Sequence, residues 1–159
     1  MAKELKQKLL KHVLFLEGEI ADFPRFQRLT QQEYLTDRDR RRSVERWAEN
    51  IINSVIDIAK VVLSIESIPI PDSYKETVSL LSSIPSLGIA DSSRLADWTR
   101  FRNLLAHEYV DIRWKSLERF IRESRELHED FLAMAKRYLK RVMELEGSGC
   151  SRETSTPPR

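Results

Sequence analysis

Apolar residues recur every three or four positions along most of the chain, which is the spacing of one buried face of an α-helix. The first such stretch covers residues 2–22, and a longer one continues from Thr36 to about Ser64. No stretch alternates apolar and polar residues as a half-buried strand does. The pattern predicts an all-α fold, an up-and-down bundle of about five helices with short connections.

Capping residues and prolines predict where these helices begin and end. Pro24 stops the first helix, Thr36 is the expected cap of the second, and Ser73 opens a shorter third. A fourth helix is expected over residues 92–107. Asp111 is placed to cap a final helix of about thirty residues. Such a length suits a bundle spine or a surface shared with a second subunit.

The length and the composition predict one domain and a tail. A chain of 159 residues can bury one core, and residues 1–146 carry all of the helical pattern. From Gly147 to Arg159 the sequence is mostly Gly, Ser, Thr and Pro, which cannot bury enough apolar surface to order itself. We therefore expect a helical domain over residues 1–146 and a flexible polar tail over residues 147–159.

Charge is nearly balanced, with 27 Lys and Arg against 25 Asp and Glu, so nucleic-acid binding would need a local cluster of cations. Arg38, Arg41 and Arg42 form such a cluster at the start of the second helix, where positive charge opposes the helix dipole. Two interpretations stay open for these arginines. They are either a solvated surface or candidate RNA contacts beside a cleft.

Cysteine usage and hydropathy predict the compartment. The lone cysteine, Cys150, cannot form a disulfide within the chain, and no hydrophobic signal core follows Met1. The longest uncharged run, residues 77–90, is too short to span a bilayer and contains Pro85. We therefore expect a cytoplasmic protein without a membrane segment.

Few side chains could form a metal or cofactor site. The chain has three histidines and one cysteine, and it lacks an HExxH, a CxxC and a Gly-rich phosphate loop. We therefore predict neither a metal nor a cofactor. His12 and His128 are expected at the surface or at the boundary of the core, and the three tryptophans are expected to pack in the core or in an interface.

The polar cluster at the end of the fourth predicted helix is the strongest candidate site. Arg102 and Asn103 precede His107 on a helix of otherwise apolar residues. On a helix Asn103 and His107 share a face, so Asn103 can orient the imidazole, whereas Arg102 diverges from His107 by roughly 140°. The fork of donors on Arg102 suits a phosphate.

RNA cleavage without a metal needs more groups than one chain supplies here. The reaction requires a base for the 2′-hydroxyl, an acid for the leaving oxygen, and positive charge at the phosphate. One histidine and one arginine are half of that set. A two-fold dimer with the two segments face to face would present two copies of each across one cleft and complete the site.

Residues 101–109 read Phe-Arg-Asn-Leu-Leu-Ala-His-Glu-Tyr, and this Arg-x4-His-x-Tyr pattern resembles the signature of the HEPN superfamily, specifically its HepT-like branch. Residues 41–46, 57–59, 71–74 and 110–112 are also similar to that branch, so the resemblance covers about residues 3–145. It implies a HEPN-like helical bundle that forms a homodimer. It also implies a metal-independent endoribonuclease with Arg102, Asn103 and His107 as catalytic residues.

The same resemblance implies a role as the toxin of a type VII-like toxin–antitoxin pair, acting on cellular RNA, with transfer RNA among the candidates. The cognate antitoxin would be an MNT-type nucleotidyltransferase that silences the toxin by transferring AMP to the motif tyrosine, which is Tyr109 in this chain. The alternative is a catalytically inactive helical scaffold that binds a nucleotidyltransferase.

Overall fold

The computed structural model describes residues 1–147, with side chains for residues 1–145. All regular structure in this part of the chain is helical, so the predicted all-α fold is confirmed. The α-helices are α1 (Ala2–Ile20), α2 (Phe23–Gln27), α3 (Gln31–Thr36), α4 (Arg38–Ile65), α5 (Tyr74–Ser79), α6 (Ser93–Trp98), α7 (Phe101–His107), α8 (Val110–Glu123) and α9 (Arg125–Gly147). Two 3-10 helices cover Leu80–Ser83 and Pro85–Leu87.

Helix α4 is the spine of the bundle. Its buried face includes Val44, Ile51 and Ile58, and α1 packs along both α4 and α9. The indole Nε1 of Trp47 donates a hydrogen bond to the Glu19 carbonyl at 2.7 Å, which ties α4 to the end of α1. Burial of these aliphatic faces is the main force that holds the three long helices together.

A cluster of aromatic rings joins this spine to the helix that carries the motif. Phe120 of α8 is fully buried at its centre. Its ring centroid lies 5.2–6.1 Å from those of Phe23, Trp47, Trp98, Phe101 and His128. These residues come from α2, α4, α6, α7 and α9, so one side chain connects five helices. The expected packing of the tryptophans is confirmed, since Trp47 and Trp114 are buried and Trp98 is partly buried.

The fourth predicted helix is in fact two helices, α6 and α7. The Thr99 hydroxyl donates to the Ala96 carbonyl at 2.6 Å, and the amides of Thr99 and Arg100 bond to carbonyls three residues back instead of four. A hydroxyl that satisfies a nearby carbonyl competes with the helical ladder. A single helix over residues 92–107 is therefore wrong, and the break gives α7 its own direction.

The long final helix is also divided, at Ser124. The Ser124 hydroxyl donates to the Phe120 carbonyl at 2.6 Å, and the Ser124 carbonyl accepts a hydrogen bond from His128 Nδ1 at 2.8 Å. These two bonds hold the turn between α8 and α9. The predicted cap is wrong as well, because Tyr109 is the N-cap of α8 and Asp111 lies in its first turn, where an acid still favours the helix dipole.

Two earlier boundaries also differ from the expectation. Helix α1 ends before Pro24, which occupies the first turn of α2, where its missing N–H costs little. Thr36 is the last residue of α3, and the cap of α4 is Asp37, whose carboxylate accepts hydrogen bonds from two amides of the first turn. Ser73 caps α5 as predicted.

Within the described residues, no helix combines the length and the apolar character needed to cross a bilayer. Gly147 is the last residue of α9, and the rest of the predicted tail, residues 148–159, lies outside the described part of the chain.

The expected surface position of His128 is wrong, whereas His12 is half-buried at the boundary as predicted. The imidazole of His128 is 1% exposed, packed beside Phe23 and Phe120. Burial disfavours the imidazolium and lowers the pKa of His128 from 6.5 to about 4, against the opposing effect of its bond to the Ser124 carbonyl.

We expect His128 to make the fold less stable in acid. Because its pKa is lower in the folded chain, the unfolded chain binds the extra proton between pH 6.5 and pH 4. The free energy of unfolding should therefore be unaffected above pH 6.5 and fall by about 3 kcal/mol as the pH drops to 4.

Chemical denaturation at several pH values measures this loss. His128→Gln keeps a hydrogen-bond donor but does not titrate in this range, so its unfolding free energy should depend less on pH by the same amount. Equal pH dependence in both proteins would contradict a neutral, buried imidazole.

Candidate active site

The predicted motif lies on α7 and on the two residues that follow it. Phe101 stacks on Phe120 with centroids 5.3 Å apart and planes 11° apart, so one face of this short helix is anchored in the aromatic cluster. Glu108 and Tyr109 are extended, with ψ of 159° and 156°, and connect α7 to α8. The anchored face determines where the other faces point, since successive helical residues are about 100° apart.

Arg102 is turned toward α4 and α5. Its guanidinium carbon lies 4.8 Å from the ring centroid of Tyr74, the first residue of α5, and Lys60 Nζ lies 4.9 Å from the same ring. The two cations therefore share one aromatic ring, in contacts typical of cation–π pairs. The Arg102 guanidinium lowers the pKa of the Tyr74 phenol by hydrogen bonding and by charge, and Lys60 adds to the effect.

The guanidinium of Arg102 is positioned without an acidic partner. Its Nε is buried and lacks a hydrogen-bond partner, and Arg102 forms no ion pair with any other described residue. A cavity of about 230 Å³ beside it is lined by Asn53, Asp57, Lys60 and Tyr74. Asp57 pairs with His12, whose Nδ1 lies 4.0 Å from the Asp57 carboxylate. Donors of Arg102 thus remain available for an anion.

Asn103 and His107 lie on the solvent side of α7. Both are exposed, and neither side chain makes a hydrogen bond or an ion pair with another described residue. The face shared by the two is as expected, but the hydrogen bond between them is absent from the described structure. Arg102 faces the bundle while His107 faces solvent, so one chain does not bring this pair to a common point.

Tyr109 stands at the edge of this surface. Its side chain is 84% exposed, and its backbone caps α8, where the Tyr109 carbonyl accepts the Arg113 amide at 2.9 Å. The ring therefore has no packing role within the described chain. The side chain is therefore open to solvent.

The arginine cluster divides into three different environments. Arg38 is exposed at the start of α4. The Nη1 of Arg41 donates to the carbonyls of Tyr34 and Leu35, both at 3.2 Å, and so binds the end of α3. Arg42 is exposed and lines a second cavity, of about 350 Å³, together with Arg102. Of the three, Arg42 is the one that shares a cavity with the motif.

Sequence reasoning did not single out Tyr74 or Lys60 as members of the site. Tyr74 was visible only as the start of a helix, and Lys60 lies in the middle of α4. Their contact with Arg102 joins residues far apart in the chain, and no local spacing predicts it. Among the described side chains, no group of three or more His, Cys, Asp and Glu could share a metal ion.

The comparison with protein families confirms the HepT-like resemblance of the sequence. The ribonuclease HepT-like family model matches residues 16–135, which include all of the motif and both cavities beside Arg102. The chain therefore belongs to the ribonuclease HepT-like family. Searches of curated proteins and of solved structures give no match.

The contact between Arg102 and Tyr74 can be tested by titration. Replacing Arg102 with Gln should raise the pKa of Tyr74, because the hydrogen bond and the charge that stabilise the phenolate are lost. Phenolate absorbance against pH measures the change, and the difference from Tyr74→Phe identifies the signal of Tyr74.

Arg100→Gln is the matched control. The substitution removes the same charge as Arg102→Gln, but Arg100 lies on another side of the helix. The control should leave the titration of Tyr74 unchanged. A Tyr74 signal that is the same with and without Arg102 would show that the guanidinium is not held on that ring.

Proposed function

We propose that this protein is a metal-independent endoribonuclease that acts as a homodimer, with its site assembled from α7 of both copies. Membership of a ribonuclease family supports the reaction class. The observation that carries the proposal is that Arg102 and His107 of one chain point in different directions from α7. Arg102 is held inward on the ring of Tyr74 with no hydrogen-bond partner for its Nε, and His107 is presented outward with no partner in the described chain.

The proposed reaction is a transfer within the RNA strand. One His107 accepts the proton of a 2′-hydroxyl, and the oxygen forms a bond to the adjacent phosphorus. The bond from phosphorus to the 5′-oxygen breaks, and the second His107 of the dimer returns a proton to that oxygen. The products are a 2′,3′-cyclic phosphate and a 5′-hydroxyl end, so the step consumes no water.

Arg102 would stabilise the charge that develops on the phosphate oxygens. Its bidentate donors match a phosphate, and preorganised charge of this kind is a large part of catalysis at phosphorus. Arg42 lines the same cavity as Arg102 and would contact a neighbouring phosphate. Asn103, on the exposed face with His107, would orient the imidazole or bind the phosphate once the dimer encloses the strand.

We further propose that the enzyme is the toxin of a toxin–antitoxin pair and that its activity is controlled at Tyr109. In that reaction the Tyr109 oxygen attacks the α-phosphorus of ATP, the bond to pyrophosphate breaks, and the phenolic proton passes to solvent. The exposure of Tyr109, two residues from His107, supports this role. An attached AMP would bring negative charge and bulk to the RNA-binding surface.

The dimeric site predicts complementation between two inactive proteins. His107→Ala and Arg102→Ala should each lower RNA cleavage in EDTA by about 100-fold or more, because each removes a group that acts in the transition state. Mixing the two variants should restore part of the cleavage, because a mixed dimer regains one Arg102 and one His107 but lacks the second His107 that protonates the leaving oxygen. Cleavage of a labelled RNA measures both effects.

Two controls make the complementation result specific. His107→Ala mixed with a chain that carries both substitutions should stay inactive, and Arg137→Ala, an exposed change on α9, should retain full activity. Single variants that cleave as well as the unmodified protein would remove Arg102 and His107 from the site. A mixture no more active than either variant alone would contradict the sharing of Arg102 and His107 between the two copies.

Control at Tyr109 is tested with an MNT-type nucleotidyltransferase and ATP. The chain should gain one adenylyl group on Tyr109 and lose RNA cleavage, whereas Tyr109→Phe should cleave RNA and remain unmodified. Mass spectrometry locates the group. Modification of the chain without any cleavage by the unmodified protein would favour the alternative of an inactive scaffold, and modification elsewhere would refute the role of Tyr109.

A further inference from the structure

A cavity of about 280 Å³ lies between α6, α7 and α8, on a different side of α7 from Arg102. Its floor is apolar and its rim is basic. The floor is formed by Trp98, Phe101 and Leu104, and the rim carries Arg94, Arg100 and Arg119. We call this cavity the base pocket. None of the proposed catalytic residues, Arg102, Asn103 and His107, lines it.

The acids at the base pocket are already paired. Asp97 contacts Lys75 Nζ at 3.2 Å, and Glu123 accepts a hydrogen bond from Arg119 Nε at 2.8 Å. Arg100 is exposed and forms no ion pair within the described residues. The rim therefore has unpaired positive charge, which favours an anionic ligand.

The aromatic floor presents a rigid stacking surface. Trp98 is partly exposed, and its ring meets Phe101 and Phe120 edge-on, with planes 85° and 84° apart. The guanidinium carbon of Arg119 lies 5.8 Å from the centre of the Trp98 ring. Unpaired bases of RNA stack on aromatic rings and on arginine planes, so the base pocket offers both kinds of surface.

The base pocket lies about two helical turns along α7 from the proposed catalytic histidine. Arg100 is in helical register with α7, because its carbonyl accepts the Leu104 amide. Arg100 and His107 are seven residues apart, so they differ by only about 20° around the axis and by about 10.5 Å along it. That rise equals about three stacked nucleotides at about 3.4 Å each.

We propose that the base pocket binds one unpaired base of a single-stranded RNA substrate, about three nucleotides from the cleavage point. The base stacks on Trp98, and Arg100 contacts the phosphate between that base and His107. The size agrees, since a cavity just below the range of about 300–1,000 Å³ for drug-sized ligands can hold one base. This inference rests on the proposed function and adds the means by which the substrate is selected, which is an unstacked base in a single-stranded segment.

Binding of a short unstructured RNA to the His107→Ala dimer tests the base pocket without cleavage. Trp98 fluorescence should be quenched as RNA binds, because Trp47 and Trp114 are buried and only Trp98 borders the cavity. Arg100→Gln should weaken binding about fivefold to tenfold and reduce its dependence on salt. Trp98→Leu should weaken binding by about tenfold, the loss expected from one stacked base. Trp98→Phe, which keeps a ring, should bind better than Trp98→Leu.

Controls separate recognition from folding. Arg137→Gln removes an equal charge on α9 and should bind RNA normally. Thermal unfolding of each variant shows whether the loss of Trp98 disturbs the core, and Arg100→Gln tests the same surface without touching the core. In the active protein, Arg100→Gln should raise KM while kcat changes less than twofold. The reason is that the contact of Arg100 with the RNA phosphate stabilises the bound substrate and the transition state equally.

The outcomes distinguish this inference from the proposed function. If the unmodified protein cleaves RNA but Arg100→Gln and Trp98→Leu bind and cleave normally, the base pocket is not a substrate site and the proposed function stands. If the unmodified protein neither cleaves nor binds RNA, both fail. If free AMP quenches Trp98 as strongly as RNA does and Arg100→Gln has no effect, the cavity is a mononucleotide site and the inference is overturned.

Discussion

The stacking of Phe101 on Phe120 is the contact on which the site depends. A helix of seven residues, such as α7, is too short to be stable alone, so its position must come from packing. Phe120 connects α7 to four other helices through one buried cluster of rings. Because Phe101 is buried against Phe120, the rotation of α7 about its own axis is fixed. Arg102 must then face α4 and α5, and Asn103 and His107 must face solvent.

The sequence pattern predicted the helices well but not the breaks between them. Hydrophobic spacing continues across Thr99 and Ser124, so nothing in the period shows that these side chains bond to their own helix and interrupt it. The burial of His128 was missed for the same reason, because its place in the core depends on the turn at Ser124. The motif itself was readable because Arg102 and its neighbours are local in sequence.

The contact of Arg102 with Tyr74 shows what a local motif cannot contain. It joins α7 to the start of α5. The contact both positions the guanidinium of Arg102 and affects the free energy of the folded chain. A buried donor without a partner costs about 1–3 kcal/mol, and Lys60 on the same ring adds repulsion. Under the proposed function, an RNA phosphate bound to Arg102 would relieve both costs. The folded chain therefore keeps Arg102 in a conformation that an RNA phosphate would stabilise further.

In the proposed function, the residues of α7 and of the link after it separate stability from chemistry and control. Phe101 holds the core, Arg102 is held by α5, and His107 is free at the helix end. Tyr109 lies beyond the last turn in an extended link, and its exposed ring contributes nothing to the aromatic cluster. A group attached to Tyr109 can therefore block the surface near His107 without displacing Phe101. Control by such a group would act through charge and obstruction, and the fold would survive it unchanged.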